Sequence, residues 1–208
     1  KIGPTSFYVT AGKTGLLAFD AKSGKELFSD DATGNDVAVI PTPILSENQL
    51  YHTSDYGAGC TLLNLSASGA KIKVEPAYHL NGKTMMNHHG GVVLVEGVIY
   101  GNTKSNGGPW MAQDMQTGET LWEEKIRGNR SGSLTLADGR LSCYNDKQGS
   151  VILVSPSRNG WSPQGELTLP EKTSLQRGSG AIWTHPVVAD QMLIVRDQDL
   201  IYAYDIAQ

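Results

Sequence analysis

Two segments of this chain are near-copies of each other, and their spacing leaves few folds open. Ala18 to Phe28 reads AFDAKSGKELF and Ala112 to Trp122 reads AQDMQTGETLW. Both fit Ala-x-Asp-x-x-Ser/Thr-Gly-Lys/Glu-x-x-aromatic, and a partial third copy, AYDI, ends at Ile206. The aligned aspartates Asp20, Asp114 and Asp205 are 94 and 91 residues apart, which is about two periods of 45 each. A period of that length means a solenoid or a propeller.

Weaker copies fill the gaps, with Asn64 and Ser155 in the aspartate slot. A second marker repeats out of phase: PILSENQLY, GVVLVEGVIY, GSLTLADGRLS and PVVADQMLIV, at Pro43, Gly91, Gly132 and Pro186. Each unit reads as four short strands. In the unit from Gly91 to Ile126, the run to Val95 is continuously apolar, as in a strand buried on both faces. Glu96-Gly97 is a two-residue hairpin turn, and Asp138-Gly139 holds that place one unit later. Thr117-Gly118 turns the last two strands, and Asp114 stands where its carboxylate can clamp the turn backbone. Asp20 with Gly24, and Asp205, take the same structural role, as does Gly118; Trp122 and Phe28 are expected between units. No stretch of 12 residues holds a helical apolar period unbroken by Gly or Pro, and 24 Gly with 9 Pro suit turns between strands. The fold class is therefore all-β, a β-propeller of four-stranded antiparallel blades.

The motif Ala-x-Asp-x-x-Thr-Gly-x-x-x-Trp resembles the blade motif of the PQQ-like repeat, shared by quinoprotein alcohol dehydrogenases and by non-enzymatic relatives such as the periplasmic lipoprotein that assists outer-membrane barrel assembly. HHGGVVLVEGVIYG from His88, LADGRLSCYND from Leu136 and WTHPVVADQMLIVRDQDLIYAYDI from Trp183 resemble uncharacterised bacterial, planctomycete-type members. Counting strands gives 18, about four and a half blades. The expected division is one partial propeller domain over 1–208, with blades near 6–30, 41–78, 88–127, 131–169 and 182–206. The family builds larger rings, often of eight blades. The expectation is a C-terminal half, whose ring closes with the other half or by self-association.

Composition narrows the function classes. Charged residues make up 18% with a formal net charge of −4, which argues against a nucleic-acid surface. No run of 18 apolar residues suggests a membrane span. Cys60 and Cys143 lie two blades apart and read as buried free thiols. The resemblance implies a periplasmic or secreted location.

Two places can carry chemistry or binding. His88-His89-Gly90-Gly91 leads into an innermost strand, and Thr184-His185-Pro186 does so two blades on. Such segments line one mouth of the central channel, so His88 or His89 can meet His185 there, with Trp183 beside them. Converging imidazoles can hold a transition metal, serve as acid and base, or simply bond turn backbones. The second place is the rim, where the loops Ser54 to Cys60 and Lys104 to Trp110 offer Asp55, Tyr56, Lys104 and Trp110 to a protein or polymer ligand. Arg196 to Asp199 reads as a solvated tip of the same kind. By the resemblance, a quinoprotein would hold PQQ between a tryptophan floor and a disulfide of adjacent cysteines, with calcium and a catalytic aspartate. Trp183 is the one candidate floor, and the chain has no adjacent Cys pair. Two readings stand: a non-catalytic binding scaffold of the bacterial cell envelope, or a quinone- or metal-dependent oxidoreductase with its site over the channel.

Overall fold

The computed structural model describes residues 1–69 and 71–207. Gln208, where a fourth strand of the last blade was expected to begin, lies outside the described residues. Tight turns set the registers. Glu96 and Gly97 have φ of 48° and 78°, and Asp138 and Gly139 have 45° and 67°. Positive φ at both central residues is the geometry that matches strand twist in a two-residue hairpin. The last sheet makes this turn with Asp190 and Gln191, at 48° and 61°, and so holds a glutamine where the other two have glycine.

Five antiparallel sheets follow one another along the chain. The first holds β1 (Phe7–Gly12), β2 (Gly15–Asp20) and β3 (Glu26–Asp30); the second holds β4 (Ile44–Ser46), β5 (Gln49–Ser54), β6 (Gly59–Ser68) and β7 (Lys71–Leu80). The third holds β8 (Val92–Val95), β9 (Val98–Asn102), β10 (Trp110–Asp114) and β11 (Thr120–Glu124). The fourth holds β12 (Ser133–Ala137), β13 (Arg140–Tyr144), β14 (Ser150–Val154) and β15 (Pro163–Thr168); the last holds β16 (Val187–Ala189), β17 (Met192–Asp197) and β18 (Leu200–Asp205). These are β-propeller blades, and the only helical piece among the described residues is a 3-10 turn at Ser105–Gly107.

The core is four layers, one between each pair of successive blades. Leu16 and Leu50 meet in the first, Tyr51, Leu62 and Ile99 in the second. Tyr100, Trp110 and Leu141 form the third, and Tyr144, Val151 and Leu193 the fourth. Leu50 and Tyr51 are consecutive, point to opposite faces, and are both fully buried. The second strands β5 and β9 are buried on both faces in this way, whereas the first strand β8 is only half-buried along Val92–Val95, short of the burial on both faces that its apolar run suggested. The first strand β12 touches both β8 and β16, the first strands of its neighbouring blades, which puts them innermost.

One irregularity recurs. The pairing of third and fourth strand slips at Ala18/Phe19, Leu62/Leu63, Ala112/Gln113 and Leu153/Val154. Each slip lies two residues before the aligned slot at Asp20, Asn64, Asp114 or Ser155. A bulge bends a strand and re-aims its side chains. At the two strongest copies the slot residue then closes the turn. Asp114 Oδ1 accepts the Gln116 and Thr117 N–H groups, both at 2.9 Å, and Asp20 Oδ1 accepts the Ser23 N–H at 2.7 Å. Asp205 Oδ1 accepts the Ala207 N–H at 2.9 Å. Gly24 and Gly118 have φ of 70° and 73°, as the turn requires.

Trp122 lies between blades but is only part-buried. Its Nε1–H donates to the Ser157 carbonyl at 2.8 Å, and its ring meets Trp161 edge-on, 5.9 Å between centroids. Trp110, not Trp122, is the fully buried tryptophan, stacked on Trp161 at 6.3 Å. Trp110→Ala is expected to cost about 3–5 kcal/mol and Trp122→Ala about half that; denaturant midpoints of the two variants, in the reverse order, would contradict this packing. Gln191→Gly is expected to stabilise the last hairpin by about 0.5–1 kcal/mol, because it relieves a left-handed side chain at some cost in chain entropy. A lower melting temperature for this variant would refute the strain.

Candidate functional site

The site grows from a turn ahead of the third blade. Asn87 clamps it: its Nδ2 donates to the carbonyls of Gly91 (3.0 Å) and Asn102 (2.8 Å), and its Oδ1 accepts the Gly91 N–H at 3.0 Å. Gly90 then passes so close to the next blade that a Cβ there would sit 1.9 Å from the Gly132 oxygen. This approach lets Leu134 N–H donate to Gly90 at 3.1 Å and ties the two innermost strands together. The clamp leaves His88 and His89 pointing into neighbouring loops.

His88 is held at both ends. Its Nδ1 is 2.8 Å from Ser131 Oγ, and its Nε2 is 3.1 Å from the Tyr56 hydroxyl. Tyr56 sits at φ 60°, a conformation unusual for a bulky residue, and its N–H donates to Asp55 Oδ1 at 2.6 Å. The His88 ring also lies 5.2 Å from those of His89 and Trp183. His185 comes from two blades on, and its Nε2–H donates to the His89 carbonyl at 2.8 Å. His89 and His185 are 6.4 Å apart between ring centres and together border a cavity of about 360 Å³ whose other walls include Ile40, Gly91, Val92 and Leu134.

Burial dominates the electrostatics. His89 is 5% exposed and neither ring nitrogen has a hydrogen-bond partner. Burial first, then the imidazoles of His88 and His185, lower its pKa to about 4; the backbone at Ser131 pulls weakly the other way without meeting a ring nitrogen in bonding geometry. His88 is lowered as well, by burial and then by Lys104. His52, at a separate place, is lowered to about 4 by burial; its Nε2–H donates to Pro41 at 3.1 Å, and its Nδ1 accepts from the Thr33 hydroxyl at 2.7 Å.

The structure brings together His88, His89, His185 and Trp183, and adds Tyr56 from the rim. Lys104 is near enough to influence both His88 and His89. Two rim candidates are corrected. Trp110 is 2% exposed, because it opens β10 inside the core rather than closing a loop. Asp55 is 4% exposed and serves its own loop. The solvated tip Arg196 to Asp199 is also corrected. Asp197 is buried, receives the Thr173 N–H at 3.1 Å and pairs with Arg177, so it latches the segment before the last blade. Sequence reasoning missed Asn87, Ser131 and this Arg177–Asp197 pair. It also missed Asn145, whose Oδ1 accepts the Lys147 and Gln148 N–H groups at 3.1 and 3.2 Å, an Asp114-like clamp in a different turn. Asn145-x-x-x-Gly149 was the signal that could have found it.

Among the described residues, no group of three or more His, Cys, Asp or Glu is arranged to hold a metal. The residues do not fit a quinone with its calcium either. Cys60 and Cys143 stand in different inter-blade layers with burial pushing both thiols up, so they form no disulfide opposite Trp183.

A sequence profile of the family described as outer membrane protein assembly factor BamB matches residues 4–202. No curated protein matches the chain by sequence. Among solved structures, BamB from Moraxella catarrhalis is 17% identical with a TM-score of 0.57, over 96% of this chain and 53% of that one. The quinohemoprotein alcohol dehydrogenase ADHIIG from Pseudomonas putida HK5 is 12% identical with a TM-score of 0.66, over 97% and 39%. Sqt1 from Saccharomyces cerevisiae is 14% identical with a TM-score of 0.62, over 96% and 68%. The chain thus spans about half the length of the BamB structure, and at these identities the likeness is one of fold.

The depressed histidines make stability depend on pH with a definite sign. The unfolded chain takes up protons near pH 6.5, while folded His52 and His89 resist them until about 4. Their contribution is complete above pH 6.5 and is lost as pH falls toward 4, at up to about 1.4 kcal/mol per pH unit for each. His89→Phe is expected to flatten this slope and to hold or raise the melting temperature at pH 7, because it removes two unpartnered nitrogens. A large loss of stability at pH 7 would show that His89 has a partner.

Proposed function

The chain belongs to the PQQ-like family described as outer membrane protein assembly factor BamB, and on that premise we propose that it is a non-catalytic binding scaffold of the bacterial cell envelope, periplasmic or secreted. The observation that carries this reading is the placement of Tyr56 and Trp183 against one histidine, His88, at the loop face. Their side chains are 48% and 45% exposed, and His88 lies against both. Large aromatics in fixed positions lose little entropy on contact and dominate the energetics of protein interfaces. The buried histidine serves them as a strut rather than as a reactive group. No helix among the described residues is long and apolar enough to cross a membrane.

The alternative, a quinone- or metal-dependent oxidoreductase, draws on the cavity beside His89 and His185. Two measurements separate the readings. With a photo-crosslinking phenylalanine at position 56, an envelope extract should yield a discrete adduct that Trp183→Ala suppresses. The same protein given PQQ, calcium, a panel of alcohols and a redox dye should show no PQQ-dependent dye reduction. Turnover there, with no adduct, would establish the alternative.

A further inference from the structure

The charges around the aromatic pair are sorted by burial. Three aspartates reach the loop face, from the second, fourth and last blades, and all three turn inward. Asp55 accepts the Tyr56 N–H, Asp146 is 2% exposed and accepts the Arg130 N–H at 2.9 Å, and Asp197 is taken by Thr173 and Arg177. Each carboxylate is answered inside the protein, so little of its charge remains for a ligand.

The bases of the same loops are left over. Lys104 acts electrostatically on His88 and His89. Arg130 directly precedes Ser131, the residue bonded to His88. Arg196 shares the wall of a cavity of about 430 Å³ with Trp183, and its carbonyl accepts the Thr184 hydroxyl at 2.6 Å. Arg130 and Arg196 are exposed, Lys104 is half-buried, and none of the three has an ion-pair partner among the described residues. Of the exposed acids in the flanking connections, Asp36 is paired with Lys13 and Asp199 accepts the Thr173 hydroxyl, while Asp31 and Glu171 have no ion-pair partner among the described residues. A chain with a formal charge of −4 therefore shows three cations without a carboxylate partner among the described residues, from three adjacent blades, near Tyr56 and Trp183; the Arg196 Nε–H donates to the Gln198 carbonyl at 2.6 Å.

We propose that this loop face binds an acidic segment of a protein partner, its carboxylates met by Lys104, Arg130 and Arg196 and an apolar side chain laid against the exposed parts of Tyr56 and Trp183. The inference rests on the scaffold reading above and names the chemistry of its partner. A protein segment suits the face better than a polyanionic chain. The cations are spread across blades instead of forming a stripe, and the aromatic pair offers contact area that charge alone does not use.

The probe is a fluorescein-labelled random copolymer of glutamate and tyrosine, with polylysine and heparin as comparisons. Binding is read by anisotropy. The copolymer should bind saturably and weaken about tenfold between 50 and 300 mM salt, as screened exposed charges do. Arg130→Glu and Arg196→Glu should each weaken it about five- to tenfold, the latter restored by Arg196→Lys, and Trp183→Ala should abolish it without changing the melting temperature. Polylysine binding as tightly as the copolymer, or indifference to both charge reversals, would overturn the proposal. So would heparin binding with the copolymer inert, which would make the partner a sulfated glycan. A position-56 adduct that maps to a neutral or basic segment would overturn this inference and leave the scaffold reading intact. PQQ-dependent turnover without an adduct would remove the scaffold reading itself.

Discussion

The structure depends on the layer between blades. A sheet of three or four short strands cannot close a core on itself, and its alternating side chains need cover on both faces. Each blade supplies one half of two layers. Leu50 and Leu63 face the first blade, while Tyr51 and Leu62 face the third. Cys60 and Cys143 are small buried residues of such layers, which accounts for their inert burial. Polar stitches add register where the layers narrow. Ser133 Oγ donates to the Thr184 carbonyl at 2.8 Å, and the Thr135 hydroxyl donates to that of Pro186.

This arrangement dictates where a site can lie. Strand residues are committed to layers, so only the connecting loops are free to vary. The tight hairpins, with their short turns, leave little room. The longer connections gather at the other end, where segments ahead of the innermost strands converge. Tyr56, His88, Ser131 and Trp183 come from four connections and meet through side chains rather than through a shared element. The group is therefore a property of blade packing. A shift between two blades would separate Tyr56 from His88 before it disturbed either sheet.

What the sequence disclosed follows from the range of the interactions involved. The Asp20 and Asp114 clamps are legible because acceptor and donors lie within three residues. The bulge ahead of them is legible only after the repeat is aligned. The meeting of His88, His89 and His185 could be anticipated because equivalent positions in a repeat occupy equivalent places. Trp110 was offered to a ligand because it closes the Lys104 loop, but as the first residue of β10 its ring packs into the layer between the third and fourth blades, a burial that only the fold supplies. Asp55 and Asp197 looked like surface charges, and only the fold supplies their inward partners. Asn145 escaped notice because the clamp had moved from the turn between third and fourth strands to the one between second and third.

Placing neutral imidazoles beneath a cationic surface has a consequence for how that surface works. A charged His88 or His89 would add to the repulsion among Lys104, Arg130 and Arg196, and burial opposes that charge. The positive character of the face thus comes from Lys104, Arg130 and Arg196, while His88 and His89 provide shape. Burial holds His88 and His89 below the ordinary imidazole range, so these two rings add little charge to the face. The cost appears in acid, where protonating the buried rings competes with holding the blades together. Shape at the loop face and the acid sensitivity of the mouth therefore share the same residues, His88 and His89.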